Sequence, residues 1–334
     1  MQTTFNTSIG PALEFLYGKR ANVRLGFGCS SLMRLPSRRR RQTLLAEAFE
    51  QGIRHFDVAR IDGLGTAEGE LGRFAKGRRD EIAIATKFGI EPSGRFGRPV
   101  PLQAPAGALL ARFPGLRART KRNQGMLHAP RHYDAASACA SLETSLRELG
   151  TDYVDVLFIH DPLAVALPDM DELVGALEGL REAGRIRAWG VSGEAGPVLL
   201  LGTGWPQCVP QLRKDIFSFD SPQTLGKVPP ICFGIFVRAM VAIRGRLLAD
   251  EALRASWQQT VGLDCADANV LASLLLQDAL DRNPNGGAIL TTTQVERIGE
   301  AVAAAVALRR GSSPAPLESF RRLVAAVEWR GGDT

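Results

Sequence analysis

The sequence predicts a (β/α)8 barrel, the TIM-barrel fold, from three observations. Short runs of almost continuously apolar residues recur along the chain, as is typical of parallel strands buried on both faces. Helical segments separate most of these runs, as right-handed βαβ units require. The runs number eight, which is the strand count of a closed α/β barrel. They lie at about residues 23–28, 53–59, 81–88, 153–160, 186–192, 215–220, 230–236 and 286–292.

Helices are predicted between the strands from apolar periodicity and capping residues. In "SRRRRQTLLAEAFEQG", Ser37 suits the N-cap and Gly52 suits the stop. Further helices are predicted at "TAEGELGRFAKG", "DAASACASLETSLRELG", "DMDELVGALEGLREAG", "CADANVLASLLLQDALDR" and "TQVERIGEAVAAAVALRR". Only "SPQTLGKV" separates the sixth and seventh predicted strands, which is too short for a crossover helix. The segment "PLESFRRLVAAVEWR" is predicted as a helix appended at the C-terminus.

An open, doubly wound sheet is the competing fold for alternating strands and helices. That fold favours the pattern G-x-G-x-x-G directly after the first strand. The segment "GFGCSSLM" has Gly26 and Gly28 but no third glycine. The sequence therefore favours the closed barrel.

The composition predicts one soluble globular domain over residues 1–334, with a core at about 22–310. Apolar residues make up 45% of the chain and charged residues 23%. No apolar run reaches the ~18 residues of a membrane span, and no secretory signal is recognised at the start. The five cysteines are scattered and form no C-x-x-C pair, which predicts neither disulfides nor zinc and a cytoplasmic location.

The charge distribution singles out a long basic loop after the third strand, at about residues 91–133. Residues 92–131 contain eight basic residues and no acidic one. Three interpretations stay open: a lid over an anionic substrate, a docking surface for an acidic protein partner, or a solvated insertion without a partner. The net charge of +6 permits anionic ligands, but it is too small to predict nucleic-acid binding.

Three polar residues stand at the trailing ends of three consecutive predicted strands. They are Asp57 in "HFDVA", Lys87 in "IATKFG" and His160 in "LFIHDP". In a barrel these ends meet at one mouth, where the active site lies. The lysine would compensate a neighbouring carboxylate, and the histidine would donate a hydrogen bond or a proton near neutral pH. Any one of them alone would suit an ordinary ion pair or cap, so the prediction depends on the trio.

The sequence resembles the aldo-keto reductase superfamily over roughly residues 22–305. The resemblance is carried by "LGFGCSSLM", "GIRHFDVAR", "GLGTAEGELGRF", "IATKFGI", "SLETSLRELGTDYVDVLFIHDP", "LREAGRIRAWGVSG" and "TTTQVERIGEAV". It implies a (β/α)8 barrel that binds NADPH at its mouth and reduces carbonyls with an Asp, Tyr, Lys and His tetrad. Asp57, Lys87 and His160 fill three of those roles, and Asp62 occupies the tyrosine position.

The resemblance also implies a set of residues for the cofactor, NADPH, with NADH as the open alternative. Ser192 would hold the nicotinamide amide, with Gly193 in place of the family's Asn, and Ser218 would stand where the family often has Gln. Phe233 would stack on the nicotinamide, Arg297 and Thr292 would meet phosphate, and Glu300 would lie on the adenine side. The full set is Gly28, Cys29, Ser192, Ser218, Phe233, Thr292, Arg297 and Glu300.

Replacing tyrosine by Asp62 changes the expected chemistry. The carboxyl of an aspartate has a pKa of ~3.9, and Lys87 is expected to lower it further, so Asp62 is predicted to be ionised at pH 7. An ionised acid has no proton to give and opposes negative charge on a carbonyl oxygen. Repulsion from Asp57 acts in the opposite direction. His160 is then the best remaining acid, and structural roles are predicted for Tyr17, Tyr133 and Tyr153.

Three functions stay open at this level. The first, and favoured, is an NADP(H)-dependent oxidoreductase that reduces a carbonyl or oxidises an alcohol of a small-molecule substrate. The second is a non-redox lyase or isomerase that uses Asp62 and Lys87 for proton transfer. The third is a catalytically impaired barrel that binds a nucleotide or a partner.

Overall fold

The computed structural model describes residues 13–17, 24–92, 131–162, 170–205, 207–218, 228–309 and 314–329. Over these residues eight parallel strands pair in sequence order, and the eighth pairs with the first. The sheet is therefore a closed barrel, and the predicted fold class is confirmed. The strands are β1 Leu25–Gly28, β2 His55–Asp57, β3 Ala83–Phe88, β4 Val154–His160, β5 Ile186–Gly193, β6 Val209–Arg213, β7 Ile231–Phe233 and β8 Gly287–Leu290.

Helices surround the barrel and separate most of its strands. They are α1 Glu14–Tyr17, α2 Arg38–Glu50, α3 Ala67–Ala75, α4 Ala135–Leu149, α5 Met170–Glu182, α6 Ala195–Gly204, α7 Val237–Ala249, α8 Glu251–Val261, α9 Ala268–Asp281, α10 Glu296–Arg309 and α11 Pro314–Ala326. The predicted N-cap is present, because the Ser37 side chain accepts from the Arg40 N–H at 3.2 Å. The helices α1, α6, α7 and α8 were not predicted.

The register of the strands brings polar side chains together at one end of the barrel. Gly28 pairs with Asp57 in β1 and β2, and His160 pairs with Ser192 in β4 and β5. Alternate residues of a strand point to opposite faces. Residues two apart, such as His55 and Asp57, therefore share the barrel interior, and the later of the two lies nearer the mouth.

The sixth strand was predicted in the wrong place. Strand β6 is Val209–Arg213, "VPQLR", rather than 215–220. Pro210 lacks the N–H of a ladder donor, so sequence rules disfavour a strand there. Residues 215–218 instead form a turn, in which the Ser218 N–H donates to the Asp215 carbonyl oxygen at 3.0 Å. Arg238 of α7 also pairs with the Asp215 carboxylate at 2.7 Å.

The predicted C-terminal helix is α11, which packs against α8 and α9. Trp257 and Phe320 meet edge to face with ring centroids 6.2 Å apart. Arg321 donates to the buried Asp278 of α9 at 2.6 Å. The predicted basic loop falls mostly on residues 93–130, which lie outside the described residues, so its proposed roles stay predictions.

Three further features of the described residues concern thiols, membrane-spanning segments and metal ligands. The five cysteines are all free thiols, and four of them are buried. None of the helices in the described ranges has the length and hydropathy to cross a membrane. Over the same ranges, no group of three His, Cys, Asp or Glu side chains has a metal-binding arrangement.

Helix α1 closes the end of the barrel opposite the mouth. Leu13, Leu16 and Tyr17 are buried there against inward side chains of the strands. The Tyr17 ring meets the His55 ring edge to face, with centroids 5.5 Å apart. The Tyr17 hydroxyl is buried without a hydrogen-bond partner among the described residues, and burial raises the pKa of this phenol. Tyr17 therefore fills space at the barrel floor.

Removing the buried hydroxyl of Tyr17 is expected to preserve or increase stability. A buried hydroxyl without a partner costs about 1–3 kcal/mol, so Tyr17→Phe should raise the free energy of unfolding by about 0–2 kcal/mol in a urea titration. Tyr17→Ala, which also removes the ring, should lower it by about 3–5 kcal/mol. A loss of stability in Tyr17→Phe similar to that in Tyr17→Ala would show that the hydroxyl has a stabilising partner.

Candidate active site

A cavity of about 700 Å³ opens at the carboxyl end of the barrel. Asp57, Lys87 and His160 all line it, although each comes from a different strand. Asp62, in the loop after β2, lines the same wall. The structure therefore brings together the four residues that the sequence selected as catalytic candidates.

A buried ion pair joins β2 and β3 at the floor of this cavity. Lys87 Nζ donates to Asp57 Oδ1 at 2.5 Å, and the two side chains are 7% and 12% exposed. Lys87 Nζ also lies 3.4 Å from the Val58 carbonyl oxygen and 5.5 Å from the centre of the Phe158 ring. The Lys87 charge is therefore directed at Asp57.

Gln211 completes the hydrogen bonding of Asp57 and corrects one predicted cofactor residue. Its Nε2 donates to Asp57 Oδ2 at 2.7 Å, and its Oε1 accepts from Ser192 Oγ at 2.5 Å. The prediction of Ser218 for this position was wrong, because β6 was misplaced. The Ser218 hydroxyl instead donates to the Asp215 carbonyl oxygen at 3.1 Å. The glutamine in "VPQLR" was the sequence signal that would have identified the position.

The loop between β2 and α3 places Asp62 at the cavity wall with an unusual backbone. A 3-10 turn spans Asp62–Leu64, and Gly63, Leu64 and Gly65 have φ angles of 57°, 57° and 86°. Glycine accepts this left-handed region, whereas for a leucine it costs about 1–2 kcal/mol. Asp62 Oδ2 accepts from the Ala59 N–H at 2.9 Å, which turns the carboxyl back toward β2.

The pKa of Asp62 is higher than the sequence predicted. Burial raises its pKa from 3.8 to about 7, and the Asp57 and Glu68 charges add to the increase. Lys87 and the Ala59 N–H lower the pKa, but by less. The expectation that Asp62 is fully ionised at pH 7 was therefore wrong. The physical reason is that the nearest cation forms its ion pair with Asp57, while Asp62 has lost much of its hydration.

His160 is held at the end of β4 by Tyr133. The Tyr133 hydroxyl lies 2.9 Å from the carbonyl oxygens of both His160 and Asp161. Asp161 has a φ of 48°, and its N–H donates to the Ser192 carbonyl oxygen at 2.6 Å. Arg131 also pairs with the Asp161 carboxylate at 3.0 Å. Tyr133 therefore has the structural role predicted for it.

No tyrosine lines the cavity, and all three tyrosines of the chain lie among the described residues. Tyr153 lies just before β4, at the opposite end of that strand from His160, where the Arg79 guanidinium stacks 3.9 Å from its ring centre. The structural roles predicted for the tyrosines are therefore consistent with their positions.

The cavity extends from the ion pair along β8 to the start of α10. Gly28 lies under it, and a Cβ added there would come within 2.3 Å of Thr291 Oγ1. Thr292 and Arg297 line the far end. The start of α10 offers backbone N–H groups that suit phosphate. The cavity is therefore narrow at Gly28, and it leads from there to the start of α10 and the guanidinium of Arg297.

A smaller adjoining cavity of about 110 Å³ shares Thr292 and Arg297 with the larger one and also reaches Glu300. Glu300 Oε1 accepts from Asn269 Nδ2 at 3.0 Å. Of the predicted cofactor residues, those that line one or both cavities are Gly28, Ser192, Phe233, Thr292, Arg297 and Glu300.

Cys29 does not belong with the residues that face the cavity. Its side chain is completely buried in the hydrophobic core, and burial raises the pKa of its thiol well above the usual range. The Cys29 side chain is therefore not directed at the predicted cofactor site.

The sequence also missed four charged residues at the cavity wall. Arg213 follows Gln211 by two residues on β6 and pairs with Glu194 at 2.6 Å. Arg34 lies at the end of the 3-10 helix Cys29–Arg34 after β1. Both arginines line the cavity, as do Asp161 and Glu194. Arg213 was not predicted as a cavity residue because the sequence placed β6 at 215–220 rather than at Val209–Arg213.

Comparison with known proteins assigns the chain to a family. The sequence model of the Aldo/keto reductase family matches residues 24–197, about half of the chain. This chain belongs to the Aldo/keto reductase family. The matched residues include Asp57, Asp62, Lys87, His160 and Ser192.

Two curated relatives show how far the sequence similarity extends. A 6-dehydroglucose reductase of Agrobacterium fabrum is 38% identical over 157 residues, which cover 45% of this chain and 42% of the relative. A D-threo-aldose 1-dehydrogenase of a Pseudomonas species is 31% identical over 185 residues, 50% and 49% of the two chains. The chain thus spans about half the length of the curated relatives it matches.

Solved structures show the same fold over nearly the whole chain. An aldo-keto reductase from Bacillus halodurans in its holo form has a TM-score of 0.66 at 20% identity and covers 93% of this chain and 95% of its own. An aldo-keto reductase from Klebsiella pneumoniae in complex with NADPH has a TM-score of 0.63 at 20% identity and covers 96% of both chains. At this identity the likeness concerns the barrel alone.

The raised pKa of Asp62 predicts a pH-dependent gain of stability in Asp62→Asn. The unfolded chain ionises this carboxyl near pH 3.8 and the folded chain near pH 7, so the wild type loses stability as the pH rises through this window. The asparagine can still accept the Ala59 N–H. Because Asp62 keeps some solvent contact, the gain at about pH 8 should be about 2 kcal/mol, below the full linkage value, and should vanish near pH 4.

Urea unfolding of wild type and Asp62→Asn at a series of pH values measures this difference. A variant that is less stable than the wild type at pH 8 would mean that the folded protein favours the Asp62 carboxylate.

Proposed function

We propose that this protein is an NADP(H)-dependent oxidoreductase that reduces a carbonyl, or oxidises the corresponding alcohol, of a small-molecule substrate. One observation carries the proposal. Asp57, Asp62, Lys87 and His160 share one wall of a cavity that continues, without a break, to Thr292 and Arg297 at the start of α10. Polar reactive groups at one end and a phosphate-type site at the other match the two ends of a dinucleotide.

The shape and chemistry of the cavity fit that cofactor. Its volume of about 700 Å³ lies within the usual range for cofactor sites. Gly28 leaves space that any side chain would fill. The hydroxyl of Ser192 and the amide of Gln211 would hold the nicotinamide amide, and Arg297 would meet a phosphate at the adenosine end. When bound, the nicotinamide supplies or accepts the hydride.

Asp62 is the proposed proton donor. A general acid is most effective when its pKa lies near the working pH, and the pKa of Asp62 is about 7. While protonated, this carboxyl places no negative charge beside a carbonyl oxygen. Lys87 and Asp57 form an ion pair at the floor of the site. His160, on the strand that neighbours the Lys87 strand, would donate a hydrogen bond that orients the carbonyl.

The similarity to named enzymes supports the class of reaction. The curated relatives are named a 6-dehydroglucose reductase and a D-threo-aldose 1-dehydrogenase, and one structural neighbour contains NADPH. Both relatives act, by name, on sugar carbonyls or alcohols. For this chain we propose only a small carbonyl or alcohol as the substrate.

A second function, proton transfer without redox chemistry, is favoured by the same pKa. A carboxyl that titrates near neutrality can remove a proton as well as give one. Turnover without added nicotinamide would identify this chemistry. Nucleotide binding without any turnover would instead identify a barrel that has lost its reaction.

Titration with NADPH and NADH by fluorescence quenching tests the cofactor assignment. We expect binding of NADPH, and Arg297→Met should weaken it about 10-fold through loss of a charged contact, with little effect on NADH. Arg322→Met, on the exposed side of α11, is the matched control and should bind as the wild type does. Absence of binding to either nucleotide would contradict the proposal.

Steady-state reduction of a carbonyl panel with NADPH tests the proton donor. Asp62→Asn should lower turnover at least about 100-fold, the usual contribution of a general acid, while the NADPH affinity stays the same. Wild-type reduction should slow as the pH rises through about 7, because Asp62 loses its proton. Asp152→Asn, before β4, should have no effect.

Two outcomes of this panel would contradict the role of Asp62. Unchanged turnover in Asp62→Asn would assign the proton to another group, such as His160. A wild type without turnover that gains activity as Asp62→Tyr would show that the natural residue disables the reaction.

A further inference from the structure

On the side away from the cavity, the loop that carries Asp62 contacts buried charged residues that have no role in the proposed reaction. Arg60 is 7% exposed and Glu68 is completely buried. The Arg60 guanidinium forms an ion pair with Glu68 through Nη1, and its Nε donates to Glu91 Oε2 at 3.2 Å. One side chain therefore joins the loop after β2, helix α3 and the segment that follows β3.

The two acidic partners of Arg60 are themselves fixed to the barrel. Glu68 Oε1 accepts from Thr86 Oγ1 of β3 at 2.7 Å, and Thr86 directly precedes Lys87. Glu91 Oε1 accepts from Ser141 Oγ of α4 at 2.6 Å. In each carboxylate one oxygen contacts Arg60 and the other accepts a second hydrogen bond, so the orientation of both carboxylates is fixed. A buried charge pair is specific only when its remaining groups are satisfied in this way.

The contacts within the loop are short-range. The Gly65 N–H donates to the Asp62 carbonyl oxygen at 3.1 Å, and Asp62 Oδ2 accepts from the Ala59 N–H at 2.9 Å. The Thr66 hydroxyl donates to the Gly63 carbonyl oxygen at 2.6 Å. Three successive residues, Gly63–Gly65, have positive φ angles, which a leucine at the middle position disfavours. Such a backbone persists only when its surroundings hold it. Arg60 is the side chain of this loop that contacts both neighbouring elements, through a buried ion pair with Glu68 and a partly buried one with Glu91.

We propose that Arg60 and Glu68 are positioning residues that hold residues 58–66 against β3 and thereby keep the Asp62 carboxyl in the cavity wall. Neither side chain lines the cavity, so they act through Asp62 rather than on a substrate. The inference rests on the proposed role of Asp62 as proton donor for its functional meaning. Its structural content, the position of the carboxyl, is independent of that role.

Because of the charges around Asp62, the direction in which its pKa changes without Arg60 shows whether the loop has moved. The groups that face it or share its wall are Asp57, Lys87, Glu68, His160, Arg34 and the buried thiol of Cys29. If the loop stayed in place without Arg60, the Glu68 charge would be less neutralised and would raise the pKa of Asp62. If the loop opened, water would reach the carboxyl, and burial, the largest cause of the raised pKa, would be lost. The proposal therefore predicts a fall.

Carboxyl-carbon NMR of aspartate-labelled protein measures the Asp62 titration directly, and Asp62→Asn assigns the resonance by its loss. In Arg60→Gln we expect the pKa of Asp62 to fall by about one unit or more as the carboxyl is rehydrated. Arg60→Lys, which keeps the charge, should recover most of the wild-type value. The control is Arg79→Gln, which removes a comparable ion pair to buried Asp155 at the other end of the barrel and should leave the titration unchanged.

An unchanged or higher pKa in Arg60→Gln overturns the proposal. If that variant does not fold, Thr86→Val provides the test, because it removes only the hydrogen bond from β3 to Glu68. There we expect a smaller fall of about half a unit, and no fall overturns the proposal. A fall in protein that turns over no carbonyl leaves the positioning role standing and contradicts the proposed function. If Arg60→Gln is active and its Asp62 carboxyl titrates as in the wild type, the positioning role is overturned and the proposed function stands.

Discussion

The arrangement of the site depends on the buried ion pair between Lys87 and Asp57. Lys87 lies inside a closed barrel, where an ammonium without a partner would be costly, and Asp57 on the neighbouring strand meets this need at 2.5 Å. Gln211 donates to the second oxygen of the same carboxylate. Because the Lys87 ammonium pairs with Asp57, its attraction lowers the pKa of Asp62 by less than the loss of hydration raises it. The same interaction thus stabilises the floor of the cavity and leaves beside it an acid whose pKa lies near neutral pH.

The fold makes this possible by separating two tasks along the barrel axis. Tyr17 and Leu16 close one end with apolar packing, so the interior can hold polar groups at the other end. At that end, strands fix Asp57 and Lys87, whereas Asp62 lies on a short loop with positive φ angles. The register of the sheet fixes the positions of Asp57 and Lys87. The position of Asp62 depends on side chains that pack against its loop on the side away from the cavity, and these are Arg60 and Glu68.

Much of this could be predicted from the sequence, for identifiable reasons. Buried parallel strands give nearly continuous apolar runs, so seven of the eight strands and the rim positions of Asp57, Lys87 and His160 were recognisable. Strand β6 was not, because Pro210 and Gln211 break the apolar pattern, and with it Gln211 and Arg213 were missed. The ionisation of Asp62 depends on which carboxylate Lys87 faces and on how far water is excluded. Neither quantity can be derived from residue spacing.

The central claim is that Asp62 holds a proton near neutral pH because Lys87 is engaged by Asp57. Infrared difference spectroscopy of wild type against Asp62→Asn tests it most directly, since a protonated carboxyl has a carbonyl stretch that a carboxylate lacks. The account predicts a protonated-carboxyl band at about pH 6 that is absent from the variant and is lost as the pH rises through about 7. A band assigned to Asp62 that has already disappeared by about pH 5 would contradict it.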